Sequence, residues 1–304
     1  MMIRYYLVFF LLNTTCLFAQ DFIYHMEPPN WWVDMRSNEF QLMIHGEKVG
    51  ECEVTIENED VKILKTQRLS NPNYMVLDLE ILRSNKAFDF VLTFSKDGVV
   101  YENYTYKLLK KSTAKRETFN SSDVIYLITP DRFANGDPKN DKIKKLAEKK
   151  VNRKKPYSRH GGDIQGIIDH LDYISDMGFT SIWSTPLLEN NMEKGSYHGY
   201  AITDMYKVDP RMGTNDLYKE LSIKAREKGI KVIKDVVLNH IGSNHWWMED
   251  LPTEDWINNR GVYKQTTHRR ESLHDPYMVK SQIKDFVEGW FVETMPDLNQ
   301  RNNI

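Results

Sequence analysis

The chain has 304 residues, of which 28% are charged and 40% are hydrophobic, and its formal net charge at pH 7 is −2. This composition is typical of a globular protein and excludes a disordered one, and the length favours about two domains. The near balance of charge argues against a nucleic-acid binder, which normally carries a basic excess. Because Cys16 and Cys52 are the only cysteines, a disulfide-built scaffold and a cysteine-rich zinc site are both excluded.

The N-terminus has the pattern of a secretory signal peptide. One basic residue, Arg4, precedes a mostly apolar stretch over residues 5–18, and Ala19-Gln20 is a suitable cleavage point. We therefore expect residues 1–19 to be removed and the mature protein to be exported, periplasmic or secreted, without a membrane span. The alternative is a buried first strand or helix.

Residues 20–115 have the period-two pattern of β-strands. Apolar residues alternate with polar ones in stretches that begin at Cys52, Met75, Phe88 and Tyr104, and turn sequences such as Lys96-Asp97-Gly98 separate them. Since period two buries one face of each strand, we expect a β-sandwich of about 95 residues.

The pattern changes near Ser121, where strands begin to alternate with helices. Continuous apolar runs predict three strands, at 124–128, 179–183 and 232–238, and the first run has the pattern of a strand covered on both faces. Three such strands with two crossover helices would leave one apolar face of the sheet uncovered. Apolar residues at helical spacing predict two crossover helices, from Ile164 to Ile174 and from Leu217 to Ala225. This order predicts a parallel sheet. The regular pattern is lost after His240.

Residues 139–160 are rich in Lys and Arg. A nucleic-acid patch is one interpretation, and a solvated loop is the other. We favour the solvated loop, because the segment has few aromatic residues and the whole chain is nearly balanced in charge.

A short loop gathers oxygen-bearing side chains of the kind that bind hard cations. Four of them fall within seven residues: Asn135, Asp137, Asn140 and Asp141. Calcium needs about six to eight oxygen ligands, so a carbonyl and a carboxylate from Gly161-Gly162-Asp163 would be required to complete the set. The alternative is a polar turn in which Asp and Asn side chains cap a helix.

Two stretches that follow predicted strands carry candidate binding residues. His198 and Tyr200 lie in a glycine-containing loop, from which aromatic rings can stack on a sugar or a base; a packed loop is the alternative. Asp235 and His240 lie towards the carboxyl end of the third strand, where parallel sheets build their sites. Asp235 alone would also fit a structural carboxylate.

Two tryptophan pairs have two interpretations. Trp31-Trp32 and Trp246-Trp247 are either platforms for a sugar or part of a core between domains. We favour the core, because large aromatic side chains usually contribute buried area.

Taken together, these stretches resemble the α-amylase superfamily, glycoside hydrolase family 13. The segments that carry the resemblance occur in the family's order over residues 123–300: VIYLITPDRFANGDPKND, GGDIQGI, GFTSIWSTP, YHGYAITD, KDVVLNH and MPDLNQ. The β-rich part with EPPNWWVDM is similar to the extra domain of the cyclomaltodextrinase and neopullulanase branch, as in exported neopullulanases of bacterial starch-utilisation systems. The resemblance implies a TIM barrel that cleaves α-glucosidic bonds with retention.

The resemblance also implies roles for individual residues. Tyr200 matches the tyrosine that stacks on the sugar at the cleavage point, and His198 precedes it in the same motif. Asp235 and His240 match a site-organising aspartate and a histidine that binds a sugar hydroxyl. Asp297 matches a structural motif of the domain inserted after the third strand.

A calcium ion and α-glucan ligands follow from the same resemblance. Six residues match the calcium loop of the branch: Asn135, Asp137, Asn140, Asp141, Gly161 and Asp163. The implied ligands are oligosaccharides of starch, maltooligosaccharide, cyclodextrin or pullulan type. In full-length relatives the N-terminal domain often supports a homodimer.

One departure concerns the catalytic carboxylates. Retaining hydrolysis needs a nucleophile and an acid/base about 5 Å apart, and in the family both follow the MPDLNQ segment. We therefore expect residues 120–304 to form an incomplete barrel of three strands out of eight, with 241–304 as the region inserted after the third strand. We expect the 304 residues alone to be inactive; the alternative is a non-catalytic maltooligosaccharide-binding protein.

Overall fold

The alternating apolar residues of the N-terminal part build two four-stranded sheets. A computed structural model describes residues 22–82, 86–113 and 118–304, so the predicted signal peptide at 1–19 lies outside the described residues. The strands are β1 (Ile23–Glu27), β2 (Trp31–Val33), β3 (Glu39–Gly46), β4 (Glu53–Ile56), β5 (Val61–Arg68), β6 (Tyr74–Ile81), β7 (Phe88–Lys96) and β8 (Val99–Lys110). The sheets have the orders β1-β3-β6-β5 and β2-β8-β7-β4, and β2 runs parallel to β8.

One apolar core lies between these two sheets. Leu42 and Leu77 of one sheet and Phe94 and Tyr106 of the other are fully buried in it. The β7–β8 hairpin turns at Asp97 and Gly98, both with positive φ, as the Lys-Asp-Gly sequence predicted. The predicted β-rich N-terminal domain is confirmed.

The second part contains a three-stranded parallel sheet with helices on one face. Its elements are β9 (Ile125–Ile128), α1 (Pro130–Phe133), α2 (Ile164–Asp169), α3 (Leu171–Asp176), β10 (Ser181–Ser184), β11 (Leu188–Glu189), β12 (Asp204–Val208), α4 (Asn215–Glu227), β13 (Lys231–Lys234) and α5 (Lys280–Val287). The parallel strands have the order β13-β10-β9, whereas β11 and β12 form a separate antiparallel pair. Ile164, Ile182 and Leu221 are buried between the sheet and the helices. The prediction of an incomplete barrel after a β-rich domain is confirmed.

The strands of this sheet are covered by the described residues on one face only, as an incomplete barrel of three strands with two crossover helices implies, although the apolar run at 124–128 by itself indicated cover on both faces. Ile125 and Leu127 are 47% and 56% exposed, and Trp183 of β10 is 40% exposed. The buried positions, such as Ile128 and Ile182, face the helices. A continuous apolar run therefore marks these strands, but in the described residues the helices cover one face only.

The third strand also ends earlier than predicted. It stops at Lys234, and Val236 and Leu238 are 56% and 70% exposed. Within the described residues β13 pairs with β10 alone, so residues 235–238 have no ladder of hydrogen bonds to hold them as a strand.

Two further differences concern helices. The predicted helix from Ile164 to Ile174 is divided into α2 and α3 at His170, whose Nδ1 lies 2.8 Å from the Gly166 carbonyl oxygen. The region after His240 contains α5 and a small core of its own, which includes Trp247 and Trp290. No helix among the described residues is long and apolar enough to cross a bilayer.

An aromatic cluster joins the sandwich to the region after His240. Trp246 stacks on His25 at 4.0 Å and on His45 at 4.7 Å, measured between ring centroids. Asp250 lies 2.9 Å from His45 Nε2, and its backbone carbonyl accepts a hydrogen bond from the Tyr74 hydroxyl. We call these five residues the clasp, because side chains from three sandwich strands hold one loop of the second part.

The tryptophan pairs largely fit the core interpretation. Trp31 stacks on Phe40 at 5.3 Å at the edge of the sandwich core, Trp247 is 7% exposed and Trp246 lies in the clasp. Trp32 differs, since it is 37% exposed.

Glu27 at the end of β1 makes the stability of the chain depend on pH. Burial, with a smaller contribution from nearby Asp204, raises the pKa of Glu27 to about 7 from an ordinary 4.5. The folded chain therefore keeps a proton that the unfolded chain releases, and its stability falls as the pH rises from about 4.5 to about 7. Glu27→Gln removes this loss, so we expect the variant to exceed the wild type by up to about 3 kcal/mol at pH 8 and to match it near pH 4.

Urea unfolding of both proteins between pH 4 and pH 8 measures this difference. Burial lowers the pKa of His25, which changes stability in the opposite direction, but that contribution cancels when variant and wild type are compared at one pH. Glu53→Gln, on an exposed position of β4, is the control and should track the wild type. A constant difference from pH 4 to pH 8 would contradict the proposed titration of Glu27.

Candidate sugar-binding site

The carboxyl ends of β10 and β13 bring predicted site residues together. Asp235 follows β13 directly, and its Oδ2 accepts hydrogen bonds from Trp183 Nε1 at 3.1 Å and from the Tyr200 hydroxyl at 3.2 Å. Burial, followed by the charge of Asp235, raises the pKa of Tyr200, so the phenol stays protonated and donates. Asp235 therefore fixes the Tyr200 ring through its hydroxyl.

The loop before Tyr200 sets the orientation of His198. The Tyr200 backbone N–H donates to His198 Nδ1 at 2.9 Å, and the two rings stack at 5.9 Å. Because Nδ1 accepts, the proton of the neutral imidazole lies on Nε2. Gly199 has a φ of 84°, and a Cβ at this position would lie 2.0 Å from the Pro186 carbonyl oxygen, so only glycine permits this turn.

His240 completes the group of rings. Its Nε2 lies 3.2 Å from the Tyr200 carbonyl oxygen, and its ring meets Phe291 edge to face at 5.6 Å. Burial lowers the pKa of both His240 and His198. Both imidazoles are therefore neutral at pH 7 and can exchange hydrogen bonds with uncharged hydroxyl groups.

These rings surround a cavity of about 330 Å³, which is lined by His198, Tyr200, His240, Phe291 and Met295. Among the described residues no carboxylate lines it, and Asp235 reaches it through Tyr200. Rings and a thioether can hold the apolar face of a sugar, whereas retaining cleavage needs a pair of carboxyl groups. Sequence reasoning missed both Phe291 and Met295 as lining residues, although Met295 is the first residue of the MPDLNQ segment and Phe291 lies four residues before it.

Asp297 has a structural position behind this cavity. It is 3% exposed and accepts hydrogen bonds from Asn239 Nδ2 and Asn258 Nδ2, both at 2.7 Å. Burial raises the pKa of Asp297 more than these hydrogen bonds lower it. Asp297 also pairs with His240 in an isolated antiparallel bridge, so it links the region after β13 to the histidine.

The predicted calcium loop has oxygen atoms that lack hydrogen-bond partners. The side-chain oxygens of Asn135 and Asn140 are buried and accept no hydrogen bond, while Asn135 Nδ2 donates to Asp141 Oδ1 at 3.0 Å. Gly161 has a φ of 88°, and a Cβ there would lie 2.4 Å from Asp141 Oδ1. The loop and Gly161 thus form a close cradle with orphaned acceptor oxygens, and this arrangement fits a hard cation.

Asp163 has a different environment from the other predicted ligands. Its carboxylate accepts hydrogen bonds from the backbone N–H groups of Gly136, Asp137 and Gly166 and from Asn140 Nδ2. It caps α2 and orients the loop at the same time. In the described residues no three or more His, Cys, Asp or Glu side chains cluster as metal ligands, so the candidate set consists mainly of amide and carbonyl oxygens.

A buried ion pair supports the loop that carries His198. Asp209 and Arg211 form two side-chain hydrogen bonds, at 2.9 and 2.7 Å, and their side chains are 3% and 1% exposed. Arg211 also donates to the carbonyl oxygens of Glu148 and Asn190. The Glu148 carboxylate in turn accepts from the backbone N–H and the hydroxyl of Ser196, two residues before His198.

Known proteins are similar to this chain in both parts. The alpha-amylase family, described as "Alpha amylase, catalytic domain", matches residues 127–303, and the family described as "Cyclomaltodextrinase, N-terminal" matches residues 25–112. A solved α-amylase from Anoxybacillus is 42% identical over 60% of this chain and 35% of that chain, with a TM-score of 0.49.

Three curated relatives show the extent of the similarity. A beta/alpha-amylase of Paenibacillus polymyxa is 39% identical over 60% of this chain and 14% of that protein. A cyclomaltodextrinase of Thermoanaerobacter pseudethanolicus is 38% identical over 46% and 25%, and neopullulanase 2 of Thermoactinomyces vulgaris is 32% identical over 59% and 32%. The chain thus spans about a third or less of the length of these relatives. With the catalytic-domain match over more than half of its residues, the chain belongs to the alpha-amylase family, and its N-terminal part matches the N-terminal domain of cyclomaltodextrinases.

Proposed function

We propose that this chain belongs to an α-glucan glycoside hydrolase and supplies the part of the active site that holds the sugar. The observation that carries the proposal is the cavity formed by His198, Tyr200 and His240, with Asp235 fixing the tyrosine. Tyr200 stacks on a glucose ring, and the two neutral imidazoles bind its hydroxyl groups. The named activities of the similar cyclomaltodextrinase and neopullulanase point to the same substrate class.

The lining of the cavity supports binding without cleavage by the 304 residues alone. Retaining hydrolysis needs two carboxyl groups about 5 Å apart on either side of the bond, and in the part of the chain that the structure describes no carboxylate lines this cavity. The same observation favours the second candidate function, a non-catalytic maltooligosaccharide-binding protein. Both candidates predict binding of an α-glucan, and they differ in whether a longer form of the protein cleaves it.

Titration calorimetry with maltoheptaose tests the binding. We expect Tyr200→Ala to weaken the affinity at least about tenfold, which corresponds to ~1.4 kcal/mol, because the stacking surface is lost. Tyr173→Ala, at a position on α3 that is 52% exposed and outside the cavity, should leave the affinity unchanged. Absence of binding by the wild type at millimolar sugar would exclude both candidates. Product formation that Asp235→Ala abolishes would contradict inactivity of the 304 residues.

We also propose that the loop cradle binds Ca²⁺. The ligands would be the side-chain oxygens of Asn135, Asp137, Asn140 and Asp141 and the carbonyl of Gly161, and Asp163 would orient Asn140. A bound ion would be structural, since it would tie the loop after α1 to the start of α2. The orphaned oxygens of Asn135 and Asn140 support this assignment.

Calcium is therefore expected to stabilise the chain. At a concentration about 100 times its Kd, the ion adds ~2.7 kcal/mol, which raises the melting temperature by roughly 5 °C or more. Differential scanning fluorimetry with calcium and with a chelator measures the shift. Asn140→Leu should lose the response, whereas Asp89→Asn, an exposed position of β7, should keep it. Equal melting of the wild type in both conditions would count against the calcium site.

A further inference from the structure

Positive charge is concentrated in one segment of the chain, and none of its basic side chains lines the sugar-binding cavity. Residues 139–160 carry ten Lys and Arg residues and two acidic residues, whereas the rest of the chain carries 31 basic and 41 acidic residues. We call this segment the basic loop. The protein therefore consists of an acidic body with one strongly basic surface segment.

Nearly all of this positive charge is accessible. Nine basic side chains of the loop are exposed, namely Lys139, Lys142, Lys144, Lys145, Lys149, Lys150, Arg153, Lys154 and Lys155. None of the ion pairs formed by the described residues includes any of the nine.

The two acidic residues of the loop do not neutralise these lysines. The Glu148 carboxylate binds Ser196, and the Asp141 carboxylate accepts a hydrogen bond from Asn135. Both acidic side chains are thus directed towards the body of the protein, and the positive charge of the exposed face is uncompensated.

The loop is attached to the body by hydrogen bonds from the Ala147 N–H to Asn191 Oδ1 and from Arg211 to the Glu148 carbonyl oxygen. It is also held by contacts within itself. Leu146 and Arg159 are 4% and 0% exposed, and the Asn152 N–H donates to the Arg159 carbonyl oxygen at 2.8 Å. Arg153 Nε donates to the His160 carbonyl oxygen at 3.0 Å. The lysines therefore project from a backbone with defined contacts, which lowers the entropy lost when they bind a partner together.

The surroundings of the loop favour a flat partner. Tyr157 is 81% exposed and directly follows Lys154, Lys155 and Pro156, and tyrosine and lysine are side chains that favour the boundary between lipid and water. A flat surface can face the exposed side chains of the basic loop, while charges of the acidic body that lie beyond a Debye length of about 8 Å are screened. A long polyanion that followed the protein surface would instead meet the acidic body.

We propose that the basic loop docks the protein on a lipid bilayer that carries anionic headgroups. The lysines approach the headgroup phosphates, and Tyr157 inserts its ring at the interface. This attachment is peripheral and depends on salt, because exposed charges supply it. It does not rest on the proposed sugar-binding function.

Sedimentation with vesicles tests the proposal, with a chelator present throughout to remove calcium bridges. Phosphatidylcholine vesicles are compared with vesicles containing about a third phosphatidylglycerol. The loop variant replaces Lys144, Lys145, Lys149 and Lys150 by Gln. The matched control replaces four exposed sandwich lysines that are in no ion pair, Lys62, Lys65, Lys107 and Lys110.

We expect the wild type to bind only the anionic vesicles and to be released at about 0.5 M NaCl, where the Debye length falls to a few ångström. The loop variant should bind the anionic vesicles at least about tenfold more weakly, and the vesicle affinity of the control should change less than about twofold. Both variants should have the melting temperature and the maltoheptaose affinity of the wild type. The proposal is overturned if the wild type does not bind anionic vesicles, or if both variants lose binding equally. Binding of duplex DNA as tight as that of the vesicles would overturn it too, in favour of a nucleic-acid surface.

Discussion

Replacing Asp209 by Asn is expected to destabilise the chain by about 3–5 kcal/mol, since this removes one partner of a buried ion pair. The Arg211 guanidinium donates to both Asp209 oxygens and is 1% exposed in its side chain. Without the carboxylate charge, the guanidinium remains buried with no counter-ion. The same change loosens the loop at Glu148, which holds Ser196 near the sugar-binding cavity.

Urea unfolding with two matched variants checks the origin of this effect. Asp216→Asn breaks the exposed pair with Lys219, whose side chains are 89% and 73% exposed, and should change stability by less than about 1 kcal/mol. The double variant Asp209→Asn/Arg211→Met removes both charges and should recover part of the loss. A single Asp209→Asn variant as stable as the wild type would contradict the proposed role of the pair.

Replacing Asp250 by Ala is expected to separate the sandwich from the second part of the chain. Asn71 Nδ2 at 2.5 Å, Asn73 Nδ2 at 2.9 Å and His45 Nε2 at 2.9 Å all donate to this carboxylate. Hydrogen bonds to a charged group contribute about 1.5–3 kcal/mol each, so even partial compensation by water leaves a loss of about 3 kcal/mol. We expect calorimetry to resolve two transitions in the variant where the wild type shows one.

The pH dependence of this effect has a defined sign. Burial would raise the pKa of Asp250, but the hydrogen bonds from Asn73, His45 and Asn71 outweigh it and lower the pKa below its ordinary 3.8. The stabilisation is therefore present at neutral pH and is lost as the pH falls through the lowered pKa. Glu254→Ala, at an exposed position four residues along, is the control. One unchanged transition in Asp250→Ala would show that the clasp does not join the two parts.

Local patterns in the sequence predicted much of this architecture. Period two identified the sandwich strands, and turn residues such as Asp97 and Gly98 placed the hairpin. Helical spacing located α4, which is capped by the Thr214 side chain at its start. These features depend on neighbours within a few residues, so they can be read from one sequence.

The exposure of the sheet could not be predicted in the same way. A continuous apolar run has no period, so Ile125 and Leu127 look the same whether one face or both faces are covered. Only the arrangement of the helices, which here lie on one face of the sheet, distinguishes these cases.

The site was predicted where its residues follow strands and was missed where they come from distant segments. Tyr200 and Asp235 lie near the ends of β10 and β13 and do meet, through one hydrogen bond. Phe291 reaches His240 from 51 residues away, and His45 meets Asp250 across 205 residues. No local pattern encodes such contacts, because they depend on how the inserted region folds back on the rest of the chain.

The buried cysteine of the sandwich has a practical consequence. Cys52 is 2% exposed, and burial raises the pKa of its thiol, so an alkylating reagent can attack it only when the segment just before β4 opens. In a Cys16→Ser variant, the labelling rate of Cys52 would measure how often the N-terminal domain opens by itself. The native Cys52 thiol thus reports on the opening of one domain, and no dye has to be attached beforehand.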